Sequence, residues 1–193
     1  AHARNHIDHD KKDADFKNKF PVNSKKTVQP IPSVLVDEKG VVLDEVKLIL
    51  DLIAQSDAVV SGGHHHISEL YPFYEEAKKR GVNRLFLNHP TYVNEGSMED
   101  IRQLVGMGVK MEHSVCMFVP STFYLFDKDH LKSVIEAAGV DNTFFGSDLG
   151  QNNNPTPVEG FEQIIDLLLE LGYSTEDVRK MVATNAADLA GLK

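Results

Sequence analysis

The sequence predicts an α/β protein built on a parallel sheet. Short apolar runs of strand length, near residues 58–61, 84–88, 109–113 and 143–147, alternate with amphipathic runs of helical period. Helix-type capping residues and stop glycines punctuate the alternation. Parallel neighbours need long crossovers, and the helical runs supply them.

Residues 1–32 are polar, rich in His and Lys, and lack sustained apolar periodicity; they read as an N-terminal arm or loop ending near Pro30 and Pro32. The β/α part then occupies residues 33–193. It opens with two β-branched runs around Asp37-Glu38-Lys39-Gly40, a small hairpin with Gly40 in the turn. From Asp44 a helix follows, carried by Val46, Leu48, Ile49, Leu50, Leu52 and Ile53. After the run 58–60 comes a helix over 68–80, opened by Ser68 and closed by Gly81. The next pairs are a strand at 85–87 with a helix over 97–107, then a strand at 109–112 with a helix over 128–138 that stops at Gly139. A strand at 143–145 leads to an apolar helix over 158–171; Ser174 caps another helix, and Thr184-Asn185 opens the last.

Composition removes several function classes. The 193 residues carry 20 Lys and Arg against 29 Asp and Glu, a net charge of −9, which disfavours nucleic acid and anionic membranes as partners. No apolar run approaches the roughly 20 residues of a membrane span, and the start has no secretory h-region. One cysteine fits a reducing compartment, so the cytoplasm is the expected location. Cys116 itself reads as a small core hydrophobe. The chain does not begin with Met, which suggests processing or a longer polypeptide.

In parallel β/α architectures, reactive groups sit at the carboxyl ends of strands. Here the first strand exits into Ser61-Gly62-Gly63-His64-His65-His66, the second into Asn88-His89-Pro90, the third into Glu112-His113-Ser114, and the fourth into Gly146-Ser147-Asp148. Each end therefore offers a residue able to bind a metal or move a proton, and all four should face one rim. Imidazole and carboxylate are the usual ligands of zinc and related ions, and catalytic sites keep a position for water. His64, His89 and Asp148 are the expected metal-site residues, with His66 as a further candidate and His65 the third member of the run. Glu112 and His113 are strand neighbours and point to opposite faces; Glu112 is taken as the inward, catalytic one, beside Asp148. His130 falls in a helix that looks solvated and receives no role. His2, His6 and His9 belong to the arm, unless His6 returns to the site.

The order Ser-Gly-Gly-His64, Asn-His89-Pro, a strand glutamate and Gly-Ser-Asp148-Leu-Gly resembles the amidohydrolase superfamily, in particular a group of uncharacterised metal-dependent hydrolases. The ending, from Met181 through Asn185 to Leu192, is similar to that superfamily's closing helix. The resemblance runs from about residue 33 to the end. It implies a (β/α) barrel of TIM type, of which this chain would hold the C-terminal half to two-thirds. It also implies that His64 and His89 follow strands five and six, Glu112 lies on strand seven, and Asp148 follows strand eight and handles the proton of the attacking water. Zinc is the implied ion, with manganese or iron as alternatives, and one or two ions are compatible with it. The superfamily's His-x-His pair and strands one to four have no counterpart, so a preceding segment or another chain is expected to complete the barrel; separately, a homo-oligomer is compatible with the sequence. The implied activity is hydrolysis of a C–N or C–O bond in a small molecule by metal-activated water. The alternatives are a metal-dependent decarboxylase or lyase on the same scaffold, and a non-catalytic barrel fragment serving as a binding module.

Overall fold

A computed structural model describes residues 34–92 and 94–192. The arm at 1–32 and its histidines His2, His6 and His9 lie outside them. The element order is α1 (Asp44–Gln55), β1 (Val60–Ser61), α2 (Ile67–Lys79), β2 (Leu85–Asn88), α3 (Met98–Gly106), β3 (Val109–Ser114), α4 (Lys128–Ala138), β4 (Thr143–Gly146) and α5 (Pro157–Glu170). A final helical stretch comprises α6 (Thr175–Arg179), a π-helical segment (Lys180–Thr184) and α7 (Asn185–Ala190).

The four strands form one parallel sheet in the order β1-β2-β3-β4. Among the described residues the sheet keeps β1 and β4 as edges and does not close on itself. Its register pairs Asn88 with Glu112, and Glu112 with Phe144. Two unlike faces result from the alternation of side chains. One presents Val60, Leu85, Leu87, Val109, Met111 and Phe145, all part of the main core that the helices cover. Burial of one such aliphatic side chain contributes about 1.5–3 kcal/mol. The other presents Ser61, Phe86, Asn88, Lys110, Glu112 and Ser114, a polar face on which Phe86 and Phe144 meet edge to face at 5.5 Å.

Helix starts follow local chemistry. Ser97 with Asp100, Thr156 with Glu159 and Ser174 with Asp177 each form a reciprocal capping box. Three expectations need correction. The hairpin reduces to a single bridge between Val36 and Val42, because Asp37 Oδ1 takes the amides of Lys39 and Val41 and tightens the turn. Helix α2 is capped by His66 rather than opened by Ser68: the imidazole Nδ1 accepts from Ser68 N at 3.3 Å. Thr184-Asn185 opens no separate helix, since Thr184 is itself helical (φ −63°, ψ −46°) and the π-helical segment carries the chain straight into α7. Among the described residues no helix is long and apolar enough to cross a membrane.

Candidate functional site

The four strand ends open on one rim because all strands run the same way. Strain collects there. Of the five non-glycine residues with positive φ among the described residues, His89 (34°), Glu95 (58°), Asp148 (46°) and Asn153 (68°) lie in the segments that follow strands. Left-handed backbone is costly for ordinary residues and persists where surrounding contacts over-determine it, a pattern common at working sites.

His64 and His89 come together. Their ring centroids are 4.6 Å apart, with the planes tilted by 58°. The turn carrying His64 depends on two glycines for different reasons. A Cβ at Gly62 would stand 2.6 Å from Tyr74 Oη and 2.7 Å from Leu70 Cδ2, whereas Gly63 sits in open space at φ +58°. His89 is buried and follows β2 directly. Ser61 Oγ donates to Asn88 Oδ1 at 2.8 Å, and Asn88 Nδ2 lies 2.7 Å from His89 Nε2. This relay fixes the ring, and an ion bound at Nε2 would have to displace that amide.

Glu112 points to the polar face and His113 to the core face, as strand neighbours must. The Glu112 carboxyl is buried; its Oε1 accepts from Gly146 N at 3.0 Å and from Ser114 Oγ at 3.2 Å. Burial pushes its pKa up to about 7, against the pull of the Ser114, Gly146 and His89 donors, with the charge of Asp148 adding to the rise. It can therefore hold or release a proton near neutrality. Burial drives His113 the other way, down to about 3, among Phe118 and Phe145.

Asp148 is exposed at the rim and accepts from Cys116 Sγ at 3.7 Å. Cys116 is buried, and its amide donates to Ser147 O at 3.1 Å, so the 115–117 turn and the end of β4 are tied together. His65 is buried with Nδ1 3.3 Å from Glu69 Oε2. His66, besides capping α2, places Nε2 3.8 Å from Glu95 Oε2. Of the four residues expected to share a cation, the structure thus joins His64 to His89, while Asp148 meets Cys116 and His66 meets the start of α2. Among the described residues no three His, Cys, Asp or Glu side chains converge closely enough to hold one ion.

Two contacts were not legible in the sequence. His130 is not simply solvated: it stacks on Phe126 at 4.1 Å, and its Nε2 lies 3.0 Å from Thr91 Oγ1, two residues beyond His89. Asn94 is fully buried and its amide reaches the turn that bears His64. The Asn-Glu-Gly pattern at 94–96 signals a turn, but nothing in it announces a partner about thirty residues upstream.

Residues 1–112 match the model of DUF6282, a family of unknown function. The chain belongs to that family. The DUF6282 match takes in His64, His89 and Glu112, and ends before Cys116 and Asp148. No curated protein sequence matches the chain. Among solved structures, an amidohydrolase from Burkholderia multivorans with bound zinc is similar over 78% of this chain and 58% of its own, at 14% identity and a TM-score of 0.59. A candidate 2-pyrone-4,6-dicarboxylic acid hydrolase from Pseudomonas putida is similar over 77% of this chain and 59% of its own, at 15% identity and a TM-score of 0.51. At these identities the likeness is one of fold. This DUF6282 chain spans less than three fifths of either neighbour's length.

Proposed function

We propose that this chain contributes the metal-binding histidines of a metal-dependent hydrolase of amidohydrolase type. The observation that carries the reading is the 4.6 Å approach of His64 and His89 at the ends of adjacent parallel strands. Two imidazoles are a fitting donor pair for zinc, and short of the three protein ligands that a catalytic zinc takes. The remaining donors are assigned to Asp148 or to residues outside 34–192. When bound, such an ion supplies Lewis acidity and a water whose pKa falls to about 7.

The chain's own residues divide the other tasks. Asp148, a carboxylate on the exposed rim, accepts a proton from the attacking water. Glu112 stands behind it as a buried carboxyl that changes protonation near neutral pH, able to return a proton to a leaving group. Ser61 and Asn88 orient the His89 ring before the ion arrives, and the Asn88 amide would give way to an ion that takes Nε2. The bond attacked is a C–N or C–O bond of a small molecule, and the setting is the cytoplasm. The likeness to two hydrolase folds, one of them holding zinc, supports this reading.

The same reading calls for a further β/α segment, supplied by the same polypeptide or another chain. It is supported by the open sheet edge at β1 and by Leu48, Ile49 and Leu52, which leave α1 with an apolar face 55–61% exposed.

Elemental analysis tests the metal. Purified protein should carry zinc, manganese or iron in stoichiometric amount, and His89→Ala should lose it. A metal-free protein that retains hydrolytic activity would overturn the proposal. Release of carbon dioxide without water incorporation would move it to the lyase alternative.

A further inference from the structure

Asn94 takes no part in the chemistry above, yet it touches the turn on which that chemistry depends. Its side chain has no exposure to solvent. Nδ2 donates to Gly63 O at 2.8 Å and to His65 O at 2.7 Å, the carbonyls on either side of His64. A primary amide carries two hydrogens on one nitrogen and can close on two carbonyls at once; a hydroxyl or a carboxylate cannot. The Asn94 backbone carbonyl in turn accepts from Ile67 N at 2.9 Å, at the first residue of α2. Two positions later, Gly96 N donates to Pro90 O at 2.9 Å, and a Cβ at 96 would stand 2.9 Å from that same oxygen. The segment 94–96 therefore grips the His64 turn at one end and the His89 turn at the other.

We infer that Asn94 is the positioning residue that sets His64 against His89. It fixes the Gly63–His64 peptide that leads into His64 and the His65–His66 peptide one residue beyond it, so the backbone that carries the imidazole is held from both directions. This inference rests on the proposed role of the two histidines, and it differs from a general packing role in a way the molecule itself allows to be separated. Asn185 is a second buried asparagine whose Nδ2 also spans two carbonyls, Val140 O at 2.8 Å and Thr143 O at 2.7 Å. Thr143 opens β4, at the end of the sheet away from the rim. The two amides perform the same bonding; only Asn94 holds a histidine turn.

The experiment compares Asn94→Ala with Asn185→Ala in the full chain, metal-free and with labelled histidines. The readout is the nuclear Overhauser effect between the ring protons of His64 and His89. The unmutated chain and Asn185→Ala should show it at equal strength. In Asn94→Ala a loosening of about 1 Å should weaken it roughly three-fold or more. An effect of unmutated strength in folded Asn94→Ala overturns the inference, as does its absence from the unmutated chain. Should Asn94→Ala not fold, the unmutated chain in sub-denaturing urea decides. Loss of the effect together with loss of Ile67 amide protection supports the inference, and loss while that amide stays protected overturns it.

Zinc affinity gives a second readout. It should fall about ten-fold or more in Asn94→Ala, the usual scale for a group that orients a ligand, and stay unchanged in Asn185→Ala. A chain that takes up no zinc would sink the metal role of His64 and His89, while the ring-to-ring effect would still decide Asn94.

Discussion

The Glu112 carboxyl fills the space that a side chain at Gly146 would need. Its Oε1 accepts the Gly146 amide at 3.0 Å, and a Cβ on residue 146 would lie 2.5 Å from that oxygen. Gly146→Ala must therefore push Glu112 aside or shift the end of β4. A loss of about 1–3 kcal/mol is expected, read from urea unfolding. Adding Glu112→Ala should cost less than the sum of the two single changes, since one clash is then counted once. Strict additivity would show that the two positions are uncoupled.

Adjacent residues on β3 give opposing pH dependences. His113 is held down to about 3 from 6.5, so the unfolded chain binds the extra proton in that window and stability falls as pH drops below about 6.5. Glu112 is raised to about 7 from 4.5, so the folded chain binds the extra proton and stability falls as pH rises from 4.5 through 7. Between about 4.5 and 6.5 the two slopes cancel. Glu112→Gln should expose the His113 slope, with stability rising by up to about 1.4 kcal/mol per pH unit across that window. His113→Phe should expose the reverse slope. Thermal melts of the three proteins from acid to neutral pH check this, and parallel curves would refute it.

The Cys116 thiol should resist modification in the native chain. Burial, followed by the nearby Asp148 carboxylate, pushes its pKa up to about 12, so almost no thiolate forms at neutral pH. Labelling by a disulfide reagent should track global unfolding and accelerate in urea. Rapid labelling of the native protein would contradict the burial.

Gly62 and Gly63 should respond differently to side chains. Gly62→Ala meets Tyr74 Oη, Leu70 Cδ2 and Leu87 Cδ1 within 2.9 Å, an overpacking worth about 1–3 kcal/mol. Gly63 has free space but φ +58°, a conformation asparagine tolerates. Gly63→Asn should therefore cost about 1 kcal/mol or less. Equal losses would mean that the left-handed backbone, not the crowding, limits this turn.

Much of the sheet was readable because its signals are local. The β-branched and aromatic runs end in turns, and the helices carry their own caps at Ser97, Thr156 and Ser174. The rim follows from strand direction, so the sequence alone places His64, His89, Glu112 and Asp148 near strand ends. It does not reveal their mutual contacts. That His64 meets His89, and that Asp148 meets Cys116, depends on turn geometry set by partners about thirty residues away in sequence: Asn94 for one turn, the 115–117 turn for the other. His66 carried a similar trap. Its place in a histidine run suggested a ligand, whereas its place one residue before α2 made it a cap. The π-helical segment was invisible for a related reason, since its residues are ordinary helix formers and tertiary packing decides their hydrogen bonding.

The contrast between the two faces of the sheet sets where this sequence is free to change. Leu85, Leu87, Val109 and Met111 are each 2% exposed or less, so a change of volume there is felt throughout the helix layer. Ser61, Phe86, Asn88 and Lys110 face away from that layer, so a change of volume there does not press on the helices. The sequence therefore has more room to vary on the second face than on the first.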